Sequence, residues 1–144
     1  MMEPGRSLVA DAGMTLYTVG GVKEIEGYSN YVSVDGGMTD NPRYTLYESQ
    51  YTVFNASHAD KAADYIATVA GRCCESGDLI GEGLRMAKPC RGDILAVAVT
   101  GAYNYSMASN YNRVPRPPVV MLADGNDYVA VRRETYDDIC ALDE

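Results

Sequence analysis

"DILAVAVTGAYNYSMASNYN" occupies residues 93–112, and its two halves set the terms for the whole chain. The first half runs six apolar residues together, Ile94 to Val99, directly after turn chemistry between Pro89 and Gly92. That makes it the strongest strand in the sequence. The second half, with Thr100 before it, packs three tyrosines, three asparagines and two serines among small residues. A stretch of that kind buries many polar groups, which then need hydrogen-bond partners. A ring such as Tyr103, at the end of a strand, could lie against a flat ligand; ordinary turn composition accounts for the stretch equally well.

Outward from this strand the chain reads as mostly β. "MTLYTV" (14–19) predicts a strand closed by Gly20-Gly21. "YVSV" (31–34) alternates and gives way to a turn at "DGG" (35–37), and "YIATVAG" (65–71) reads as a buried strand. "YTLYESQYTVF" (44–54) has apolar residues at mixed spacing and is expected to be extended in part. Pro115, Pro117 and Pro118 forbid helix between residues 113 and 118. "VVML" and "YVAV" flank "ADGND" as a hairpin. Short helices are expected at both ends. Ser7 is a candidate N-cap and Gly13 a C-cap at the first, and Thr135 with Asp138 resembles a capping box at the second, where Tyr136, Ile139 and Cys140 share a face. The residues by themselves therefore give a β-rich single domain, with no internal repeat and no linker.

Composition narrows the function classes. At 144 residues the chain is long enough for a real core, and no apolar run approaches a membrane span. The first residues lack the regions of a signal peptide. Twenty acidic residues against 12 basic ones give a net charge of −8, with no basic patch beyond Arg132-Arg133. Nucleic acid and anionic membranes are poor partners for such a surface, although a local arginine pocket for a small anion remains open. Cys73, Cys74, Cys90 and Cys140 form no C-x-x-C, and the single histidine, His58, is far from any cysteine pair. No metal site is expected, and the cysteines read as reduced thiols in a cytoplasmic protein. Twelve tyrosines stand against one Phe and no Trp, so many apolar bodies carry a hydroxyl.

Two further loops are too polar for a core. In "DNPRYTLY" (40–47), Arg43 and Tyr47 lie four apart beyond a proline turn, and arginine grips a carboxylate through two parallel hydrogen bonds. In "CCESGD" (73–78), a cysteine beside a glutamate offers a proton donor and an acceptor for an ammonium group. A surface arginine in a turn, and a buried cysteine beside a solvated glutamate, are the plainer readings of each stretch alone.

Together the stretches settle more than they do singly. "EPGR" (3–6), "VDGGMTDNPRYTLY" (34–47), "AGRCCESGD" (70–78), "GDILAVAVTGAYNYSMASNYN" (92–112), "RPPVVML" (116–122) and "VRRETYDDICALD" (131–143) occur here in one order. In that order they closely resemble the C-terminal part of the diaminopimelate decarboxylases, the pyridoxal-phosphate enzymes that make L-lysine from meso-diaminopimelate. The resemblance runs from about residue 3 to residue 143. "EPGR" is shared with ornithine and arginine decarboxylase relatives; "NPR" with a tyrosine four residues on, "CES" and "GAYNYSMASNYN" are much more specific.

The resemblance implies an alanine racemase-like architecture: an N-terminal α/β barrel that carries pyridoxal 5'-phosphate, then a mainly β C-terminal domain, sandwich- or barrel-like with short flanking helices. Residues 1–13 would then be the last loop and helix of the barrel, residues 14–144 the β-domain, and the rest of the barrel would be missing. Glu3, Pro4, Gly5 and Arg6 would approach the cofactor phosphate, with Arg6 also reaching the substrate. Arg43 and Tyr47 would hold the distal carboxylate of diaminopimelate, and Glu75 its distal ammonium. Cys74 would be the proton donor, and Tyr103 would contact cofactor and substrate. The cysteine–glutamate loop would serve the partner subunit's site, so catalysis implies a homodimer.

Lys23, Lys61 and Lys88 stand in none of the family's lysine contexts, and His58, in "NASHAD", matches no cofactor motif. In the family the chain resembles, the lysine that bonds the cofactor belongs to the barrel. The chain alone is therefore expected to lack decarboxylase activity and to bind the cofactor weakly or not at all. Two other readings compete: a fragment of a same-fold ornithine, arginine or carboxy-polyamine decarboxylase, and a non-catalytic β-domain that serves as a binding module.

Overall fold

A computed structural model of the chain describes residues 1–2 and 4–144; Glu3, one of the residues expected at the cofactor, lies outside the described residues. Six strands form one sheet: β1 (Met14–Glu24), β2 (Asn30–Val34), β3 (Val53–Asn55), β4 (Tyr65–Ala70), β5 (Leu79–Met86) and β6 (Ile94–Ala98). Their order is β3-β6-β1-β2-β4-β5, and the outer strands β3 and β5 approach each other, so the sheet nearly closes into a barrel. A hairpin of β7 (Val119–Ala123) and β8 (Asn126–Val131) stands apart. The mainly β, barrel-like expectation holds.

Burial follows the side-chain pattern. Tyr17 and Val19 of β1 point inward while Leu16 and Thr18 are exposed. Strand β6 lies between β3 and β1 and buries Leu95, Ala96 and Val97 in succession, as its unbroken apolar run requires. The core gathers Tyr17, Val19, Val32, Val69, Ile80 and Val97 with Tyr51 and Tyr65. Three of the tyrosines thus serve as core bodies.

All but one of the sheet pairings are antiparallel. Strands β2 and β4 run parallel, in register Tyr31↔Thr68 and Val32↔Val69. Parallel neighbours need a long crossover, and residues 35–64 supply it. This excursion carries helix α1 (Arg43–Tyr47) and strand β3, which pairs with β6 at the other edge of the sheet.

Several local expectations are corrected. Residues 6–12 form two 3-10 turns, Arg6–Leu8 and Ala10–Ala12, and Ser7 lies inside the first turn rather than capping a helix. Gly20-Gly21 does not close β1: the strand passes through with a register shift between Val19 and Gly21 and continues to Glu24. Of the stretch 44–54, Val53 and Phe54 are extended in β3 as expected in part, but residues 44–47 are helical; a 3-10 turn at Tyr111–Arg113 reaches the first residue of the proline-rich segment. Strand β5 was not expected at all. Its glycines interrupt the alternation, and its pairing with β4 shifts register twice.

The β7–β8 hairpin turns at Asp124-Gly125, both at positive φ (51° and 75°), which the two-residue turn requires. Helix α2 (Tyr136–Cys140) starts with the expected capping box: Thr135 Oγ1 accepts from the Asp138 N–H, and Asp138 accepts from the Thr135 N–H. Arginine–carboxylate pairs then fasten the C-terminal segment: Arg132 to Asp138, Arg113 to Asp143, and Arg116 to Glu134. Arg116, through its guanidinium and then its N–H, and Asn110 hold the Glu134 carboxyl down to about 2.

Leu95→Ala should cost about 2–5 kcal/mol, read from chemical denaturation, because Leu95 is fully buried at the centre of β6. Glu134 contributes stability above the ordinary glutamate pKa and loses it as pH falls through its depressed folded value. Thermal melts between about pH 5 and pH 2 should therefore fall less steeply for Glu134→Gln than for the parent chain. Equal slopes would show that the ion pair adds nothing.

Candidate functional site

The N-terminal turns sit against the start of the tyrosine-rich loop. The Gly101 N–H donates to the Ala10 carbonyl at 3.0 Å and the Thr100 N–H to the Gly13 carbonyl at 2.9 Å. A side chain at Gly101 would collide with the Val9 carbonyl. Val99, at φ 65°, ends β6 in a left-handed conformation that a β-branched residue rarely adopts and sends the chain into this loop. The Ala102–Tyr103 peptide is cis. The Tyr103 hydroxyl lies directly against Gly5, where a Cβ could not fit. Glycine at position 5 is therefore a requirement of close approach.

A buried amide chain joins this loop to the crossover. The Asn104 Nδ2 donates to Asn41 Oδ1 at 2.6 Å, the Tyr51 hydroxyl donates to Asn104 Oδ1 at 3.2 Å, and the Ser109 N–H donates to the Thr39 carbonyl at 2.8 Å. Asn41 and Asn104 are 0% and 2% exposed, so these bonds are made without competition from water.

The result is that Arg43, Tyr47 and Tyr103 come together, while Arg6 stacks on Tyr51, whose hydroxyl bonds into the same loop at Asn104. The Arg43 guanidinium carbon lies 5.1 Å from the centre of the Tyr47 ring and 5.7 Å from that of Tyr103; Arg6 lies 5.7 Å from the Tyr51 ring. An Arg43 terminal nitrogen approaches the Met107 sulfur at 3.8 Å. Neither arginine pairs with a carboxylate among the described residues. The Arg43 Nε is buried without a hydrogen-bond partner. A guanidinium held between two aromatic faces with an unpartnered nitrogen, as at Arg43, has the chemistry to accept an anion. Pro4, one residue before Gly5, is exposed.

Cys74 and Glu75 are placed elsewhere. Both are exposed, in the loop between β4 and β5, and neither bonds to the arginine group. Their loop lies along the other side of α1. Thr45 Oγ1 donates to the Gly77 carbonyl at 2.6 Å, and the Tyr44 hydroxyl donates to Glu82 at 2.7 Å. Helix α1 therefore shows Arg43 and Tyr47 to one group and Tyr44 and Thr45 to the other. Cys73, half-buried, has its thiol pushed up to about 11, first by burial and then by the charge of Asp78 and a hydrogen bond to it.

Sequence reading missed what lies beneath these loops. The Tyr17 hydroxyl donates to Asp40 Oδ2, and the Gly37 N–H donates to Asp40 Oδ1 at 3.0 Å. Burial, then Asp40, raises the Tyr17 hydroxyl well above the phenol range; burial also raises Asp40 itself, against the hydrogen bonds it accepts. Asn41, Tyr51, Asp78, Asn104 and Met107 were missed as well. The "DGG" and "SGD" runs carried the only local signal, as glycines beside acids.

The lysines and the histidine are accounted for outside the site. Lys88 pairs with Glu24 at 2.8 Å, Lys23 lies in β1 opposite Tyr31, the Lys61 N–H donates to the His58 carbonyl at 3.1 Å, and His58 faces Asp93 at 3.6 Å. The described residues include no cluster of potential metal ligands and no helix long and apolar enough to cross a membrane.

Residues 8–101 match the family described as pyridoxal-dependent decarboxylase, C-terminal sheet domain. The chain is 53% identical over 142 residues to the diaminopimelate decarboxylase of Bacillus subtilis (strain 168) and 48% identical over 141 residues to that of Synechocystis. These matches take in 99% and 98% of this chain but 32% and 30% of those proteins. The chain thus spans about a third of the length of the curated relatives it matches. Among solved structures, the diaminopimelate decarboxylase of M. jannaschii superposes with a TM-score of 0.89 at 38% identity, over 99% of this chain and 32% of that one. The lysine/ornithine decarboxylase of Vibrio vulnificus superposes less closely, at 0.65 and 25% identity, over 77% of this chain and 30% of that one. The chain belongs to the C-terminal sheet-domain family of pyridoxal-dependent decarboxylases.

Proposed function

We propose that this chain is the substrate-recognition part of a diaminopimelate decarboxylase, acting on meso-diaminopimelate to give L-lysine and CO2 together with an N-terminal barrel. Residues 1–13 belong to that barrel's last loop and turn, and residues 14–144 to the sheet domain. The observation that carries the reading is Arg43: a guanidinium set between Tyr47 and Tyr103, with a buried Nε in want of an acceptor. A second carboxylate is what separates diaminopimelate from lysine, ornithine and arginine. A site built to pair it leaves charge unpaired when those smaller substrates enter. The higher structural likeness to diaminopimelate than to lysine/ornithine decarboxylase supports the same choice.

The residues present fit one end of pyridoxal 5'-phosphate. The Tyr103 hydroxyl lies against the bare backbone at Gly5, and the next residue, Arg6, sets its guanidinium over the Tyr51 ring, a donor set that suits a phosphate on an aromatic ring. No lysine stands near, so the residue that bonds the cofactor comes from the barrel, and the chain alone has no decarboxylase activity. When bound, the cofactor supplies an electron sink for the pair left by departing CO2. Arg43 and Tyr47 orient the substrate by its distal carboxylate, and Arg6 and Tyr103 border both substrate and phosphate. Cys74 returns a proton to the carbon that lost CO2, and Glu75 accepts the distal ammonium. Because that loop lies across α1 from Arg43, Cys74 and Glu75 serve the partner site of a homodimer. The enzyme is cytoplasmic, where Cys74 stays reduced.

Mixing this chain with a separately produced barrel half, pyridoxal phosphate and meso-diaminopimelate should release CO2, and neither half should do so alone. Arg43→Gln should lower kcat/KM by about 10- to 100-fold, mostly through KM, as expected for a lost charged hydrogen bond. A demonstrated complex that stays silent on diaminopimelate but decarboxylates ornithine would sink the substrate assignment. In alkylation of the chain with iodoacetamide near pH 8, peptide mapping should show Cys74 modified well before Cys73, whose raised pKa leaves little thiolate.

A further inference from the structure

Asp78 is 3% exposed, and its carboxylate accepts hydrogen bonds from two different loops. The Met38 N–H donates to Oδ1 at 2.6 Å, and the Cys73 N–H donates to Oδ2 at 2.6 Å. Both partners are backbone, so the carboxylate fixes main chain to main chain. On each side a glycine makes room: a Cβ on Gly37 or on Gly71 would strike the Asp78 oxygens. The Gly71 N–H also donates to the Asp78 carbonyl at 2.8 Å, and the Arg72 N–H to the Gly36 carbonyl at 3.1 Å.

We propose that Asp78 is a positioning residue: its carboxylate sets the Cys73–Gly77 loop in place against the loop that leads to Arg43. The loop's other bonds do a different job. The Asp78 N–H to the Glu75 carbonyl (3.0 Å), the Leu79 N–H to the Gly77 carbonyl (2.8 Å) and the Gly77 N–H to Glu75 Oε1 (3.3 Å) shape the turn from within. They leave its location open. Thr45 tethers the far end at Gly77, while Asp78 tethers the near end at Cys73, one residue before Cys74. Asp78 touches no ligand in this account; it acts through Cys74 and Glu75. The geometric part of the inference stands alone, and its catalytic consequence rests on the proposed function.

Asp78→Asn tests it at nearly constant volume, because the amide nitrogen turns a donor toward a backbone donor. In the 144-residue chain, hydrogen exchange at the Cys73 and Met38 amides should rise by about tenfold or more, while Val69 and Val97 in the core strands stay within about twofold. Unchanged exchange at Cys73 and Met38 in a cooperatively melting variant overturns the proposal. Should Asp78→Asn fail to fold, Gly71→Ala carries the test, since its methyl displaces the carboxylate and leaves the charge; the same two amides should loosen. In the enzyme reconstituted with its barrel, Asp78→Asn should lower kcat, and adding it to Cys74→Ala should cost nothing further in kcat, the part that acts through Glu75 showing in KM. Losses that multiply would mean that Asp78 does not act through Cys74. If the parent pair shows no decarboxylation at all, the functional reading fails, and the exchange measurement still decides the clamp.

Discussion

The parallel pairing of β2 with β4 is the constraint from which the rest of the architecture follows. An antiparallel neighbour could have been reached by a short turn at "DGG". A parallel one obliges the chain to leave the sheet, travel, and re-enter beside itself in the same direction. The thirty residues that make the trip are not idle connection. They contribute β3, which shields the far edge and brings the sheet close to closure, and they lay α1 along β5. Arg43 is thus presented by a segment anchored at both ends in sheet, which is a firmer base than a free loop.

An excursion of that length needs to be pinned along its course, and polar groups do the pinning. Asp40 and Asp78 lie on either side of Gly36 and Gly37, Asn41 reaches Asn104, and Ser109 reaches Thr39. An apolar core can hold elements at a distance from each other without fixing their register. Buried hydrogen bonds penalise each misplacement by leaving a donor or acceptor unpaired. Here that rule operates around the site and leaves the barrel interior to Val, Leu, Ile and tyrosine rings.

What could be seen in the sequence is what depends on neighbours in the chain. Strands β2, β4 and β6, the Asp124-Gly125 hairpin and the Thr135–Asp138 cap are each specified within a few residues. The motifs in their order revealed the family. Three other features stayed hidden, for different reasons. Helix α1 is one turn long, too short to set a period, and Pro42 before it reads as a turn. Strand β5 carries Gly81 and Gly83 where alternation would have shown. The clamp at Asp78 joins residues 40 and 5 positions away, and the Asn41–Asn104 bond spans 63. Arg43 could be nominated from its motif; its unpaired Nε between two rings emerged only once those distant loops were brought together.

The β7–β8 hairpin places Leu122, Val129 and Tyr128 in the open at 81%, 60% and 55% exposure. Sticky at close range, the same molecule carries a net charge of −8 that keeps copies apart at longer range. Those two forces answer to salt in opposite senses. Added electrolyte shortens the reach of the repulsion to a few ångströms and does nothing to weaken apolar adhesion; sulfate strengthens it. In colloidal terms the chain is charge-stabilised, dispersed in dilute buffer and driven toward clustering as ionic strength climbs. Its solubility curve is therefore a property of the hairpin as much as of the fold.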